Sequence, residues 1–256
     1  MHLPLPSTFL LLGAGLLAGA MNAVAGGGTF VTLPALLLAG VPSVTANASS
    51  TVALFPGGLA SAWAYREDLS GLQGVSPRRL VPVSLAGGLV GALLLLLTPG
   101  ATFDRLLPWL LLGASGVFAL GPRLTRALGA RAHLRPRALL SLQFLLALYG
   151  GYFGGAVGIL MMAVWSVLGS ADLRALNPLK TLLVAATNAV AALCFVLLGA
   201  VSWPETLLLL GSAGVGGYGG ARLARHLDPR HLRGGVLGLT LLLTLLYFLR
   251  AHGGRG

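Results

Sequence analysis

Acidic side chains, lysine and cysteine are scarce in this 256-residue chain, which holds six carboxylates, one lysine and one cysteine. Charged residues make up 9% of it, against roughly 25% in an ordinary soluble domain. That shortage excludes a soluble globular enzyme and a disordered chain. Cys194 has no second cysteine to pair with, so a disulfide-stapled secreted scaffold is excluded too. It lies in an apolar run and reads as a small core residue. Glu67, Asp68, Asp104, Asp172, Glu205 and Asp228 all fall in loops or at the ends of apolar runs, and none of the five histidines falls within one. A proton relay through a bilayer requires such groups at depth. There is no His, Cys, Asp and Glu set with metal-ligand spacing, no nucleophile beside a base and no phosphate-loop signature. The expectation is a protein without catalytic residues, metal or cofactor.

What the chain does have is apolar length. Hydrophobic residues make up 56% of it and the mean hydropathy is +0.87. Ten apolar runs, uncharged but for Lys180 and the terminal Glu205, cover 8–25, 29–39, 44–65, 80–97, 106–120, 138–153, 156–169, 176–201, 205–221 and 234–249. A helix needs roughly 20 apolar residues to span a bilayer, and most runs reach that length with their flanks. Runs 29–39 and 156–169 are too short. Each follows a glycine cluster, Gly26-Gly27-Gly28 in one case and Gly154-Gly155 with Gly158 in the other. Glycines in series break a helix. The first run lacks a basic leader and a good cleavage site, so it reads as part of the mature protein. The net charge of +11 suggests nucleic acid, but the basic residues sit in short gaps and form no stripe. The lipid bilayer is the expected partner, and nucleic acid is not.

The order long, short, long, long, long occurs twice. Gly28 and Gly158, Asn47 and Asn177, and Thr51 and Thr181 are each 130 residues apart. Gly87-Gly88 with Gly91 parallels Gly216-Gly217 with Gly220. If each short run folds back on the long run before it, the second half lies upside down relative to the first. Thirteen of the sixteen arginines then fall on one face, leaving Arg105, Arg250 and Arg255 on the other. Arginine-rich loops stay cytoplasmic, so both termini are expected outside. The fold class that follows is an all-α membrane protein of two inverted repeats. Each repeat is a helix plus a short re-entrant broken helix, forming a hairpin, followed by three transmembrane helices. The first repeat covers 1–121, a basic cytoplasmic linker 122–137, and the second repeat 138–256, all within one transmembrane domain.

Inverted repeats with broken helices are frequent among secondary transporters, with the substrate near the midplane. Non-helical backbone at that depth needs protein or water around it. A helix N-terminus offers unpaired N–H groups and partial positive charge to an anion. The candidate binding residues are therefore Gly26, Gly27, Gly28, Thr29, Gly154, Gly155 and Gly158 at the breaks. Asn47, Ser50, Asn177 and Thr181 at the starts of the next runs join them, with Lys180, the sole lysine. Simpler readings stand beside these. The later glycines, Gly87, Gly88, Gly91, Gly216, Gly217 and Gly220, read first as sites of close helix packing. Each amide or hydroxyl taken alone reads first as a cap or an interhelical bond, and only the symmetric set points to a ligand; Lys180 reads equally as a side chain snorkelling to the surface.

Gly19-Ala20-Met21-Asn22-Ala23-Val24-Ala25-Gly26-Gly27-Gly28, then Leu33-Pro34, Gly40-Val41-Pro42 and Ala46-Asn47-Ala48-Ser49-Ser50, resembles the sulfite-exporter TauE/SafE family of membrane transporters. Tyr149-Gly150-Gly151-Tyr152-Phe153-Gly154-Gly155-Ala156-Val157-Gly158 is similar to that family's second copy, with Gly-Ala-Val-Gly where a fuller glycine run is common. The resemblance covers essentially the whole chain. It implies export of a small sulfur oxyanion or sulfonate across a bacterial inner membrane. The sequence reading is thus an alternating-access anion exporter, with an anion channel on the same scaffold as the alternative and no oligomeric state assigned.

Overall fold

The computed structural model describes residues 4–24, 27–127, 134–167 and 175–223, together with Gly238. Among these residues all regular structure is helical: α1 Leu5–Val24, α2 Thr29–Leu38, α3 Ser43–Ala64, α4 Pro77–Leu97, α5 Gly100–Ala127, α6 Pro136–Tyr152, α7 Val157–Val167, α8 Asn177–Leu197 and α9 Trp203–Leu223. The expected run 234–249 lies outside the described residues, apart from Gly238. Prolines open α4, α6 and α8 in their first turns, where a missing N–H costs no intrahelical bond. The largest boundary difference is α5, of 28 residues where run 106–120 was expected. Its start is set by Pro99, whose carbonyl accepts from the Thr102 and Phe103 N–H groups.

Both expected breaks are present, and backbone conformation explains them. Gly27 has φ +91° and Gly154 φ +73°, values that glycine reaches without a side-chain clash. Ala156 sits at φ +57°, where an L-residue pays roughly 1–2 kcal/mol. After the first break, Gly28 comes so close to α1 that a Cβ there would lie 2.9 Å from the Ala18 carbonyl oxygen. The chain thus turns back onto the helix it has just left. Short α2 is enclosed by protein: Phe30 through Leu36 are all buried. A helix apolar and covered all round belongs to an interior.

The long helices pair reciprocally. α1 packs along α9 and α4 along α6, while α3 and α8 meet between them. Both outer pairs depend on absent side chains. A Cβ on Gly19 would collide with the Ala213 carbonyl, and one on Gly216 with that of Leu16. In the other pair Gly91 would collide with the Leu148 carbonyl, and Gly151 with that of Gly88. Close packing is thus what Gly87, Gly88, Gly91 and Gly216 provide; Gly217 touches Gly19 at ordinary distance, and the surroundings of Gly220 lie outside the described residues. The opposite face of α4 carries exposed Leu85, Leu89, Leu93 and Leu97 in a stripe. Exposed leucines backed by buried glycines suit lipid as the solvent. Among the described residues Leu5–Asn22, Pro77–Leu97 and Asn177–Leu197 are long and apolar enough to cross a membrane.

The main core joins Leu11, Phe30, Leu33 and Leu36 to Phe103 and Leu107 of α5, Phe195 of α8 and Leu209 of α9. Phe153, at the second break, is buried in it. A second core holds Leu80, Leu139, Leu146, Met161, Trp165 and Leu179. The second break therefore lies between two packed cores, with Phe153 and Ala156 in the first and Val157 and Met161 in the second, while the first break is flanked by the main core.

Candidate functional site

Polar contacts gather where the breaks meet α3 and α8. At the first break, the Gly28 N–H donates to Asn22 Oδ1 at 2.7 Å, which occupies one of the N–H groups that a helix start leaves unpaired. Thr32, one turn into α2, is completely buried. Its hydroxyl donates to the Gly28 carbonyl at 3.2 Å and lies 2.6 Å from Ser50 Oγ. Thr29 is half-buried at the start of α2, and Gly26 lies outside the described residues.

Across the molecule, Asn47 of α3 reaches the second break. Its Nδ2 donates to the Tyr152 carbonyl at 2.9 Å. One turn on, Thr51 Oγ1 donates to the Asn47 carbonyl at 3.0 Å and lies beside Gly154. Asn47 is 1% exposed, and its Oδ1 is buried with no hydrogen-bond partner. The Gly155 carbonyl accepts from Tyr149 Oη at 3.0 Å. The α3 start, which holds Asn47 and Ser50, therefore belongs spatially to both breaks.

The α8 start forms a second group. Lys180 Nζ donates to Asn177 Oδ1 at 2.6 Å, and Thr181 Oγ1 donates to the Asn177 carbonyl at 2.8 Å. The lysine stem runs across the first turn of α7: a Cβ on Gly158 would lie 3.4 Å from Lys180 Cδ. Among the described residues no carboxylate pairs with this ammonium. Asn177 also lines an open cleft of about 750 Å³ with Tyr65, Asp68, Ser70, Met162, Ala175 and Pro178. The Ser70 hydroxyl closes one edge by donating to the Ala175 carbonyl at 3.3 Å.

Sequence reasoning missed Asn22, Thr32, Tyr149, Tyr152 and the cleft residues Tyr65, Asp68 and Ser70. Thr32 left a signal, a hydroxyl four residues after Gly28 inside an otherwise apolar run. The backbone carbonyls of Tyr152 and Gly155 left none. Among the described residues no group of His, Cys, Asp and Glu could hold a metal ion.

Broken helices enclosed in a lipid-facing helical body, with polar side chains at the breaks and an ammonium that no carboxylate pairs among the described residues, are the architecture of a membrane transporter. The comparison with known proteins gives the family. The model of the family described as Sulfite exporter TauE/SafE matches residues 11–247, and the chain belongs to that family. The "Probable membrane transporter protein ORF9" of Sinorhizobium sp is 32% identical over 213 residues, covering 82% of this chain and 78% of its own. The "Probable membrane transporter protein YfcA" of Escherichia coli (strain K12) is 27% identical over 256 residues, covering 95% and 92%. A "Probable membrane transporter protein" of Haemophilus influenzae is 28% identical, covering 92% of each chain. No solved structure matches the chain.

Proposed function

We propose that the protein exports a small anion, sulfite or an organosulfonate, across a bacterial inner membrane by alternating access. The observation that carries the anion reading is Lys180. It is the sole lysine, half-buried, without a carboxylate partner among the described residues, and its stem lies across Gly158 in the first turn of α7. A cation beside a helix N-terminus adds to the attraction for negative charge. The anion sits at this N-terminus, with Gly154, Gly155 and Gly158 on one side and Lys180, Asn177 and Thr181 on the other. Gly26, Gly27, Gly28 and Thr29, with Asn47 and Ser50, complete the site from the first half. The 750 Å³ cleft at Asn177 opens on the face that carries Arg66, Arg78 and Arg79, which serves as the cytoplasmic vestibule. The reciprocal pairing of α1 with α9 and α4 with α6 supports two repeats related by a two-fold axis. The arginine bias supports their opposite orientation, with both termini outside.

The test is thermal stabilisation of the purified protein by sulfite, sulfonates, sulfate and carboxylates, since a ligand of the folded state raises the melting temperature. Sulfite or a sulfonate is expected to stabilise the native protein and to lose at least about tenfold in affinity in Lys180→Gln, a charge-assisted contact being worth roughly 1.5–3 kcal/mol. Failure of every anion to shift the melt would overturn the reading. Saturable counterflow in proteoliposomes is expected of the carrier; large single-channel currents would instead establish the pore.

A further inference from the structure

We infer that the second break binds an anion that carries a hydrogen-bond donor of its own, a monoprotonated oxyanion or a hydroxyl-bearing sulfonate, and that Asn47 Oδ1 is the acceptor that reads it. This rests on the anion reading above and specifies its substrate class.

The bond from Asn47 Nδ2 to the Tyr152 carbonyl fixes which way the carboxamide faces, because the flipped amide would set two acceptor oxygens against each other at 2.9 Å. Oδ1 is then the free atom, and it is buried with no partner. The side chain is 1% exposed, so bulk water does not solvate it. The nearby hydroxyls offer it no proton. Thr51 Oγ1 donates to the Asn47 carbonyl. Thr32 and Ser50 bond to each other, and Thr32 also to Gly28. A buried acceptor left unpaired is costly. Its natural complement is an O–H or N–H arriving with a ligand.

Two features that border the second break, Asn47 against Tyr152 before it and Lys180 across Gly158 after it, therefore make opposite demands. The α7 start and Lys180 favour negative charge. Asn47 Oδ1 repels a bare oxyanion oxygen and accepts from a protonated one. An anion that keeps one proton, or holds a hydroxyl beside its charge, meets both demands. A fully deprotonated anion meets only the first. This is discrimination by an unpaired polar group, which separates close analogues more sharply than an apolar pocket does.

The experiment compares two ligand pairs at one pH on the purified full-length protein. Hydrogen phosphate and sulfate are similar in size, and only the former carries O–H. 2-Hydroxyethanesulfonate and ethanesulfonate differ by one hydroxyl. Thermal stabilisation and calorimetric titration are expected to show the donor-bearing member of at least one pair binding about tenfold tighter. The preference is expected to collapse in Asn47→Leu, which keeps the side-chain volume and removes the acceptor. The wild-type comparison stands by itself if that variant does not fold. Equal binding within both pairs, or tighter binding of the donor-free members, overturns the inference and leaves the anion site standing. A preference that persists unchanged in folded Asn47→Leu overturns the assignment to Asn47. Absence of binding by all four ligands, and by sulfite, overturns the anion site and this inference with it.

Discussion

At the scale of single residues, the second break sets two neighbours in the same left-handed backbone region with different side chains. Gly154 occupies it freely, and Ala156 occupies it with a methyl group that is buried. Relieving the strain at Ala156 gains roughly 1 kcal/mol or more, and losing the buried methyl costs about 0.8 kcal/mol. The two nearly cancel, so Ala156→Gly is expected to leave thermal stability within about 1 kcal/mol of the native protein. Gly154→Ala has no such offset. It is expected to cost at least about 1 kcal/mol and to lower anion affinity, because the backbone at the α7 start would shift. Melting curves with and without sulfite check both. The sequence showed the break here, and it showed Lys180 by its uniqueness. The Asn47 bond to Tyr152 spans 105 residues and ends on a backbone carbonyl, which every residue has, so nothing in residue identity announced it.

At the scale of helices, glycine has two uses that the sequence does not separate. Gly19, Gly91, Gly151 and Gly216 stand where two backbones nearly touch. Gly57, Gly113 and Gly211 have nothing within 4 Å of a built Cβ. Alanine is expected to destabilise at the first set by about 1–3 kcal/mol, the usual cost of overpacking. At the second set it is expected to be neutral, or to stabilise by up to about 1 kcal/mol through helix propensity. Detergent melts of the single variants, read against native protein, check the split; equal effects in both sets would contradict the packing described. Apolar run length revealed the nine helices found among the described residues because each is bounded by glycine, proline or charge. It did not reveal partners, because helices that face lipid show no polar stripe to mark the outer side. The α9 start shows the same limit. Ser202 and Glu205 have capping-box spacing, and the Ser202 hydroxyl bonds the Glu205 carboxylate. The Ser202 N–H is taken by Ser49 Oγ at 2.9 Å, from α3, 153 residues earlier.

At the scale of the whole molecule, orientation and driving force belong together. Arg66 lies over the exposed Trp63 ring, 4.9 Å from its centroid, at the end of α3, a pairing suited to the headgroup level. The proposed orientation puts that end in the cytoplasm, and it predicts that single cysteines in a Cys194→Ser background are labelled from the cytoplasm at Ser70 and from outside at Gly40, Gly100 and Gly199. An inside-negative potential then expels an anion with about 2.3 kcal/mol per charge per 100 mV. At tenfold per 1.4 kcal/mol, a voltage-driven uniporter holding 100 mV with equal pH on both sides reaches a gradient of about fifty-fold for a monoanion and about 2,500-fold for a dianion. The limiting gradient of sulfite in proteoliposomes therefore reports the charge of the species carried. The expected value is near the smaller figure, because the acceptor at Asn47 selects the form that retains a proton. A gradient that reached the larger figure would assign the dianion to the transport step. One that required a pH difference and ignored voltage would refute uniport and require a coupled ion, for which the described helices offer carboxylates only near their starts, Asp104 in α5 and Glu205 in α9.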